Sequence, residues 1–318
     1  MPCPPPHSTH ASALPWVLVA LAAALASPAR ASREATLVVA TWNLEWLVSP
    51  ATAHSARLAC RQSGHAALPC DALGNASRDS ADIARLARYA RELNADVIAF
   101  QEVENQAIAR KVFAGYQICM ADGSGIQHVG FAVRPELPHR CGPALDSLAL
   151  EGHTRKGMTL KLTPANGPPI ELLAVHLKSG CSREPLETNT TACQQLRQQA
   201  LILGAWIEAR AMMQDRFIVL GDFNRVPPLS DDDPFWQRVR TTPLHLLAEH
   251  LTFGNCQRGQ AFTAFIDQIL LSSSLASHIV GGSARHPGFR SSDAVRYHLS
   301  DHCPVSISLN LPGLAPGG

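Results

Sequence analysis

The chain has 318 residues, of which 46% are hydrophobic and 17% charged, and its formal net charge is +1 at pH 7. This composition is typical of a folded protein with one large core or two small ones, and it excludes a chain that is disordered throughout. So small a net charge also disfavours strong non-specific binding to nucleic acid, although a local basic groove would be enough to bind such a substrate.

The first 31 residues have the pattern of a secretory signal peptide. An uncharged apolar run extends from Leu14 to Ala26 and is followed by Ala29-Arg30-Ala31, a small-x-small pattern that suits signal peptidase. The run is too short to span a bilayer comfortably, but no Lys or Arg precedes it, so a membrane anchor remains the alternative. We expect a cleaved signal, a secreted or periplasmic location, no stable membrane span in the mature chain, and a monomer.

Apolar runs alternating with amphipathic stretches predict one domain over residues 36–311, followed by a flexible Pro/Gly-rich tail over residues 312–318. The predicted elements, in chain order, are a strand Leu37–Leu47, a loop 51–78, a helix Asp79–Asn94, a strand Val97–Val103, β-rich segments Val129–Arg134, Met158–Leu162 and Ile170–Lys178, a helix Cys193–Met213, and strands Phe217–Leu220, Ala264–Leu271 and Pro304–Leu309. Strands mixed with a few helices favour an α/β sandwich of packed sheets flanked by helices.

Cysteine usage agrees with export. Cys3 falls in the predicted signal, and eight cysteines follow it: Cys60, Cys70, Cys119, Cys141, Cys181, Cys193, Cys256 and Cys303. An even set in an exported chain indicates disulfides, but eight cysteines allow 105 pairings, so the sequence does not fix the connectivity. Local pairs, Cys60 with Cys70 and Cys181 with Cys193, are our hypothesis. A zinc site is the alternative, and no Cys-x-x-Cys or Cys-x-x-His spacing supports it.

Polar residues end or interrupt several of the apolar strands. They are Asn43, Glu102, His176, Asp222 with Asn224, Asp267, and Asp301 with His302. A buried carboxylate without a partner is costly, so such groups must pair, bind a metal or face a cleft. Strand ends can converge on one rim of a sheet, where pockets form, and this pattern therefore predicts a site there.

These residue types suit the hydrolysis of a phosphate ester. Carboxylate and amide oxygens bind a hard cation such as Mg²⁺, which polarises a phosphoryl oxygen. An aspartate can take a proton from water, and a histidine held by an aspartate can donate one to the phosphate or the leaving group. The chain has no Gly-x-Ser-x-Gly elbow and no P-loop, which disfavours a serine hydrolase and a nucleotide-driven kinase.

Six short motifs carry these residues, and together they resemble the successive motifs of the endonuclease/exonuclease/phosphatase superfamily, the deoxyribonuclease-I-like fold. The motifs are Thr41-Trp42-Asn43-Leu44-Glu45, Gln101-Glu102-Val103, Val175-His176-Leu177, Gly221-Asp222-Phe223-Asn224, Ile266-Asp267-Gln268-Ile269 and Ser300-Asp301-His302-Cys303-Pro304-Val305. Each is weak alone, but they span most of the mature chain in the expected order. The resemblance implies a four-layered α/β sandwich, two packed mixed β-sheets flanked by helices, and a metal-dependent phosphoric ester hydrolase that uses Mg²⁺ or Mn²⁺.

The resemblance implies a metal site as well. Glu102 resembles the main metal ligand of the family. Asn43 and Asp301 would complete or support the metal and phosphate site. Glu45 lies where some members have a second acidic group near the metal.

The resemblance also implies a set of catalytic roles. Asp222 resembles the group that orients and deprotonates the attacking water, and Asn224 would hold the phosphate or the nucleophile. His302 resembles the catalytic histidine, with Asp267 as its orienting partner. His176 resembles a second histidine that contacts phosphate or aids the leaving group.

Arg155 falls near a family position for a phosphate-contacting arginine, and Lys156 is the alternative.

Each of the predicted site residues named next also has a structural alternative. Asn43 and Asp301 could be strand-end polarity, Glu102 an exposed loop charge, His176 a satisfied core histidine, Asp222 and Asn224 a turn, Asp267 a helix cap and Arg155 a surface cation.

The leading hypothesis is an exported phosphodiesterase whose substrate is nucleic acid, most simply an endonuclease acting on DNA or RNA. A lipid phosphodiesterase of the sphingomyelinase type or a small-phosphoester phosphatase is the second. Lipid cleavage needs an exposed apolar surface, for which Phe235-Trp236 is the one suggestive aromatic pair. A binding protein or toxin-like subunit without turnover is the third. Two cysteine-bearing insertions, Leu47–Ser80 and Lys178–Cys193, follow site-bearing strands and are predicted to shape substrate choice.

Overall fold

A computed structural model describes residues 1–3, 36–123, 125–151, 154–165, 167–227, 232–240, 242–246, 256 and 265–311. The chain divides into two compact units, Met1–Arg33 and Glu34–Gly318, and the elements below all belong to the second. The predicted signal peptide beyond residue 3 and the predicted tail 312–318 lie outside the described residues. No helix in the described part of the chain is both long and apolar enough to cross a bilayer.

The described strands form two mixed sheets. They are β1 (Thr36–Leu47), β2 (Val97–Val103), β3 (Gln117–Met120), β4 (His128–Val133), β5 (His139–Leu145), β6 (Gly157–Leu162), β7 (Ile170–His176), β8 (Arg216–Asp222), β9 (Leu244–Leu246), β10 (Asp267–Ser272) and β11 (Val305–Asn310). The first sheet has the order β11-β1-β2-β4-β3 and the second has the order β5-β6-β7-β8-β10-β9. Only β1–β2 and β7–β8 are parallel among these neighbours, so the remaining pairs are antiparallel.

Helices cover the outer faces of the two sheets. The described helices are α1 (Pro50–Ser63), α2 (Leu73–Ala76), α3 (Ser80–Leu93), α4 (Gln106–Val112), α5 (Thr191–Met212), α6 (Pro234–Val239), α7 (Ser273–Ala276) and α8 (Ser291–Arg296). In β2, Val97 and Ala99 enter the core between the sheets, whereas Ile98 and Phe100 pack with α3 and α4. Because successive strand residues face opposite sides, both faces of the first sheet are covered. Leu196, Leu203 and neighbouring residues of α5 pack on the second sheet, which completes the four-layered α/β sandwich.

The predicted loop over residues 51–78 is wrong, because the segment contains α1 and α2. Helix α1 has clear local signals: Ser49 caps its first turn, Pro50 occupies the first helical position, and Gly64 ends it with a left-handed φ of 72°. The two helices fold onto a small cluster of their own, in which Leu68 is fully buried and Trp46 is half-buried. The helix predicted from Asp79 to Asn94 is confirmed as α3, with Asp79 as its N-cap and Asn94 as its left-handed C-cap.

Strand register brings distant residues together at one end of the second sheet. His176, the last residue of β7, lies opposite Asp222, the last residue of β8, and Asp222 lies opposite Asp267, the first residue of β10. Gly221 permits this close approach, since its φ is 150° and an added Cβ would lie 2.0 Å from the carbonyl oxygen of Val175. The three polar residues therefore form a row across neighbouring strands.

The described cysteines beyond Cys3 form four disulfides. Cys60–Cys70 and Cys181–Cys193 are confirmed as the two local pairs. Cys119–Cys141 joins β3 to β5, and the fourth disulfide joins Cys256 to Cys303, the residue after His302. The sequence did not predict the last two pairs because they link segments that meet only in the tertiary structure.

Candidate active site

Asn43 lies between two carboxylates. Its side-chain Nδ2 donates to Oε1 of Glu102 at 3.1 Å and to Oδ2 of Asp222 at 3.0 Å, and it is almost fully buried. The parallel pairing of β1 and β2 places Asn43 opposite Gln101, and the ladder is interrupted directly afterwards. That irregularity turns Glu102, with a φ of 61°, towards the same space. Residues from both sheets thus meet at one point.

Glu45 and Asp301 are joined at the edge of this cluster. The amide of Asp301 donates to Oε2 of Glu45 at 2.9 Å, and the hydroxyl of Ser300 donates to the carbonyl oxygen of Asn43 at 2.6 Å. These bonds connect the segment before β11 with the end of β1. The first and the last of the six motifs therefore build one wall of the site.

Asp222 is the most central carboxylate of the site. Its Oδ1 accepts the amide of Asn224 at 2.8 Å, while Oδ2 lies 3.5 Å from Nε2 of His176 and 4.0 Å from Nε2 of His302. At these distances neither imidazole makes a direct hydrogen bond with Asp222. The side chain of Asn224 donates to the carbonyl oxygen of Leu177 at 3.0 Å, so its backbone rather than its amide faces Asp222.

His302 and Asp267 form a tight pair. Nδ1 of His302 donates to Oδ2 of Asp267 at 2.6 Å, which directs Nε2 towards Asp222 and Asp301. Burial opposes a charge on His302, but Asp267, followed by Asp222 and Asp301, outweighs it and raises the pKa of His302 well above 6.5. This environment favours the protonated, imidazolium form of His302.

His176 has the opposite environment. Burial, with Arg155 and His302 nearby, lowers its pKa well below 6.5, so the ring is neutral. Nδ1 has no hydrogen-bond partner among the described residues. The tautomer with hydrogen on Nε2 avoids burying an unpaired N–H, and it points a donor at the space between Asp222 and Glu102, 3.5 and 3.7 Å away.

The structure separates Arg155 from Lys156. Arg155 is half-buried, donates from Nη2 to the carbonyl oxygen of Leu177 at 2.9 Å, and interacts electrostatically with Glu102 and Asp222. Lys156 instead pairs with two exposed carboxylates, Asp122 at 3.1 Å and Asp146 at 2.9 Å. Of the two cations, Arg155 is thus the one beside the site.

The acidic side of the site holds carboxylates that are desolvated and repel one another. Burial, followed by repulsion from Asp301, raises the pKa of Glu45 to about 7, and Glu102 adds to this repulsion. Burial also raises the pKa of Asp301, despite the opposing effect of His302. Crowded, desolvated oxygen donors of this kind are stabilised by a cation with oxygen preference, and Glu102, Glu45, Asp301 and Asn43 are the residues that could hold it.

Sequence reasoning missed two residues that support these ligands. Gln127 donates from Nε2 to Oε2 of Glu102 at 2.6 Å. Arg78, with a fully buried side chain, lies 3.6 Å from Oε2 of Glu45 and donates to its carbonyl oxygen at 2.7 Å. Arg78 immediately precedes the N-cap of α3, where a charged residue is ordinarily solvated, so no local signal marked it.

The zinc alternative finds no support in the described cysteines. Cys256, His286 and Cys303 have ligand atoms within 4.8 Å of one another. The two sulfurs, however, are bonded to each other in a disulfide. A disulfide sulfur is not the thiolate that zinc requires.

Comparisons with known proteins agree with this architecture. Three similar solved structures are TDP2 from D. rerio complexed with a single-strand DNA product (TM-score 0.57, 18% identity, 87% of this chain and 99% of that chain), the 3′ phosphatase NExo from Neisseria bound to a product DNA hairpin (TM-score 0.54, 14%, 86% and 100%) and a mannosyl-6-phosphatase from Bacteroides thetaiotaomicron (TM-score 0.53, 16%, 85% and 98%). At these identities the likeness shows a common fold. No curated protein matches the chain in sequence.

The family match includes five of the six motifs in full and the first three residues of the sixth. The sequence profile described as the Endonuclease/Exonuclease/phosphatase family matches residues 40–302, which include all ten predicted site residues. The chain belongs to the Endonuclease/Exonuclease/phosphatase family and is a metal-dependent phosphoric ester hydrolase.

Proposed function

We propose that this protein is an exported Mg²⁺- or Mn²⁺-dependent phosphodiesterase that hydrolyses nucleic acid. The observation that carries the proposal is the position of Asp222 between two histidines. Its carboxylate lies 3.5 Å from Nε2 of His176 and 4.0 Å from Nε2 of His302. Asp222 is directly connected to the proposed cation ligands, since Asn43 donates hydrogen bonds to both Asp222 and Glu102. We expect a phosphate group to bind next to these residues, where an acid, a base and a cation can act on it.

The chain's own residues divide the chemistry between them. Burial raises the pKa of Asp222 to about 7, which is suited to accepting a proton from water near neutral pH. The imidazolium of His302 donates from Nε2 to a phosphoryl oxygen and thereby stabilises developing charge. Neutral His176 and the guanidinium of Arg155 bind further phosphate oxygens, and Asn224 fixes the carboxylate of Asp222 through its backbone N–H. A bound divalent cation would polarise the phosphoryl group.

Nucleic acid is favoured over lipid as the substrate. Phe235 and Trp236 are core residues, 0% and 2% exposed, so the aromatic pair offers no surface for insertion into a bilayer. Large exposed apolar side chains among the described residues are scattered over several elements, as Leu58, Leu201 and Val295 illustrate. Two of the similar folds are proteins bound to DNA products, which supports nucleic acid. The mannosyl-6-phosphatase keeps a small phosphomonoester as the second candidate.

Export is proposed from the apolar N-terminal run and the cysteines. Four disulfides, in addition to one cysteine within the proposed signal, are typical of proteins that fold in an oxidising compartment. Processing after Ala31 would release a chain that begins just before β1. N-terminal sequencing of the protein from culture medium or periplasm tests this directly, and retention of residues 1–31 on membranes would support the anchor instead.

The decisive assay compares five substrates: plasmid DNA, RNA, sphingomyelin vesicles, a sugar phosphate and bis-p-nitrophenyl phosphate. The oxidised full chain is tested with Mg²⁺, Mn²⁺ or EDTA, beside Asp222→Asn, His302→Ala and the surface control Lys156→Ala. We expect metal-dependent cleavage of plasmid or RNA that the first two variants lose and the control retains.

Other outcomes redirect the proposal. Turnover of the sugar phosphate or of sphingomyelin without cleavage of nucleic acid would retain the mechanism and reject the substrate. A folded wild-type protein that binds Mn²⁺ but turns over none of these substrates would reject nucleic-acid hydrolysis.

A further inference from the structure

We propose that Arg78 is a positioning residue of the metal site, which holds the first and last motifs in the geometry that brings the acidic ligands together. This inference rests on the metal site assigned under the proposed function. The guanidinium of Arg78 lies 3.6 Å from the carboxylate of Glu45, a proposed ligand. Its hydrogen bonds, however, go to backbone carbonyl groups on two segments.

The guanidinium of Arg78 binds four carbonyl oxygens. Nη1 donates to Glu45 at 2.7 Å and to Trp46 at 3.3 Å. Nη2 donates to Leu299 at 2.8 Å and Nε donates to His298 at 3.0 Å. The side chain is 0% exposed, so water does not replace any of these bonds. One side chain therefore connects two segments that are more than 200 residues apart in sequence.

The first segment is a strained irregularity at the end of β1, where the pairing with β2 is interrupted. Glu45 and Trp46 have φ angles of 45° and 52°, a left-handed conformation that two successive non-glycine residues rarely adopt because it is strained. The irregularity directs the amide of Trp46 to Oε2 of Glu102 at 3.0 Å. It also directs the amide of Glu45 to Oδ1 of Asn43 at 2.9 Å. Strain at this position is thus coupled to the orientation of the proposed metal ligands.

The second segment leads into the last motif. His298 and Leu299 precede Ser300, whose hydroxyl bonds the carbonyl oxygen of Asn43, and Asp301, whose amide bonds Glu45. Moving these two carbonyls would move Asp301 relative to Glu45. Arg78 fixes both sides of this contact at once.

The chemistry of the side chain explains why arginine is needed. A planar guanidinium has five N–H donors in a fixed fork, whereas a lysine ammonium is a compact point charge with three donors. The four carbonyl acceptors lie on two separate segments, an arrangement that the forked guanidinium can satisfy and a single ammonium group cannot. Burying an arginine also has a desolvation cost. Here that cost is offset by the carboxylate of Glu45 at 3.6 Å and by the dipoles of the carbonyl groups.

The test compares Arg78→Lys and Arg78→Met with Arg134→Lys and Arg134→Met in the oxidised full chain. Arg134 is a matched control because its guanidinium bonds the carbonyl oxygen of Ala95 at 3.0 Å and pairs with Asp96 at 3.3 Å, at the opposite end of the first sheet. Mn²⁺ affinity is measured by titration calorimetry, and kcat and KM are measured with bis-p-nitrophenyl phosphate. Thermal unfolding in EDTA reports stability separately.

We expect Arg78→Lys to bind Mn²⁺ about 10- to 100-fold more weakly and to lose kcat in similar proportion, as disturbed support of metal ligands does elsewhere. Arg134→Lys should lose thermal stability while it binds Mn²⁺ like the wild type. If Arg78→Met does not fold, the lysine variant carries the comparison. A folded Arg78→Lys with wild-type Mn²⁺ affinity and kcat would overturn the positioning role alone. A wild-type protein that binds no Mn²⁺ would overturn the metal site and this inference with it.

Discussion

Asp267 and His302 are joined by a 2.6 Å hydrogen bond between Oδ2 and Nδ1, although they come from different sheets and lie 35 residues apart. Asp267 begins β10 of the second sheet, and His302 precedes β11 of the first. The bond therefore fixes the histidine across the space between the two sheets. It also holds Nε2 in the direction of Asp222, the residue on which the proposed chemistry depends.

Asp267→Asn should weaken catalysis by about 10²-fold or more, since the imidazolium of His302 loses the charge that sustains it. The raised pKa of His302 should fall towards its usual value, so the alkaline limb of the pH–rate profile should move to lower pH. Because the folded-state pKa is raised, the stability it contributes is present below about pH 6.5 and is lost as pH rises through the folded-state value. Thermal unfolding in EDTA over a pH series measures that difference, and an unchanged profile would contradict the pairing.

Asp222→Asn should abolish most activity yet stabilise the metal-free protein at alkaline pH. The pKa of Asp222 is raised from 3.8 to about 7 by burial, so the folded protein keeps a proton that the unfolded chain releases in that window. This carboxyl group hence destabilises the fold increasingly as pH rises from 3.8 to about 7. In EDTA, Tm of the variant should exceed that of the wild type by about 2 °C or more above pH 7 and converge with it at acid pH. Equal Tm values at alkaline pH would argue against a strained, buried carboxylate.

Divalent cations should stabilise the folded protein, and Glu102→Gln should lose that effect. A ligand at 100 times its Kd raises the free energy of unfolding by about 2.7 kcal/mol, so Mn²⁺ should raise Tm and EDTA should reverse the rise. Gln at this position keeps the acceptor oxygen for Asn43 but removes the charge. A Glu104→Gln variant serves as the control, because Glu104 bonds Ser49 and Thr52 at the edge of α1. Equal Mn²⁺-induced shifts in both variants would remove Glu102 from the metal site.

Arg155→Lys should reduce kcat/KM by about 10-fold or more, whereas the neighbouring Lys156→Ala should remain within about twofold of the wild type. Arg155 interacts electrostatically with Glu102 and Asp222, and a flexible point charge does not reproduce its planar fork. Lys156 lies in surface ion pairs that contribute little. Steady-state kinetics with bis-p-nitrophenyl phosphate decides between them. Equal losses in the two variants would contradict the assignment of Arg155, rather than Lys156, to the site.

Loosening the α1–α2 insertion should alter substrate preference more than basal chemistry. The insertion packs against Trp46, whose backbone amide bonds Glu102, and is closed by the Cys60–Cys70 disulfide. In a Cys60→Ser/Cys70→Ser variant, kcat/KM for plasmid DNA should fall several-fold relative to that for bis-p-nitrophenyl phosphate. Parallel assays of the two substrates measure the ratio. A constant ratio would reject the prediction that this insertion shapes substrate choice.

The sequence by itself determined the elements that carry the site and the residues at their ends. Apolar stretches of the sequence end at or next to Glu102, His176 and Asp222. A carboxylate or imidazole that follows a buried strand needs a partner, so these positions stand out in the sequence as candidate site residues. The cap residues of α3 and the two short-range disulfides followed from equally local signals. The six motifs in order then predicted the family that the profile match shows.

Only the tertiary structure decided which cation lies beside the site, how the remaining cysteines pair, and what supports the ligands. Arg155 and Lys156 are adjacent in sequence, yet Arg155 bonds Leu177 beside the site whereas Lys156 pairs with Asp122 and Asp146. Cys256–Cys303 and the contacts of Arg78 join segments that meet only when both sheets are packed. Their partners are backbone carbonyls and distant sulfurs, and no local pattern records such long-range proximity. The physical reason is that propensity and periodicity act over a few residues, whereas a site is built from the ends of strands that the chain visits far apart.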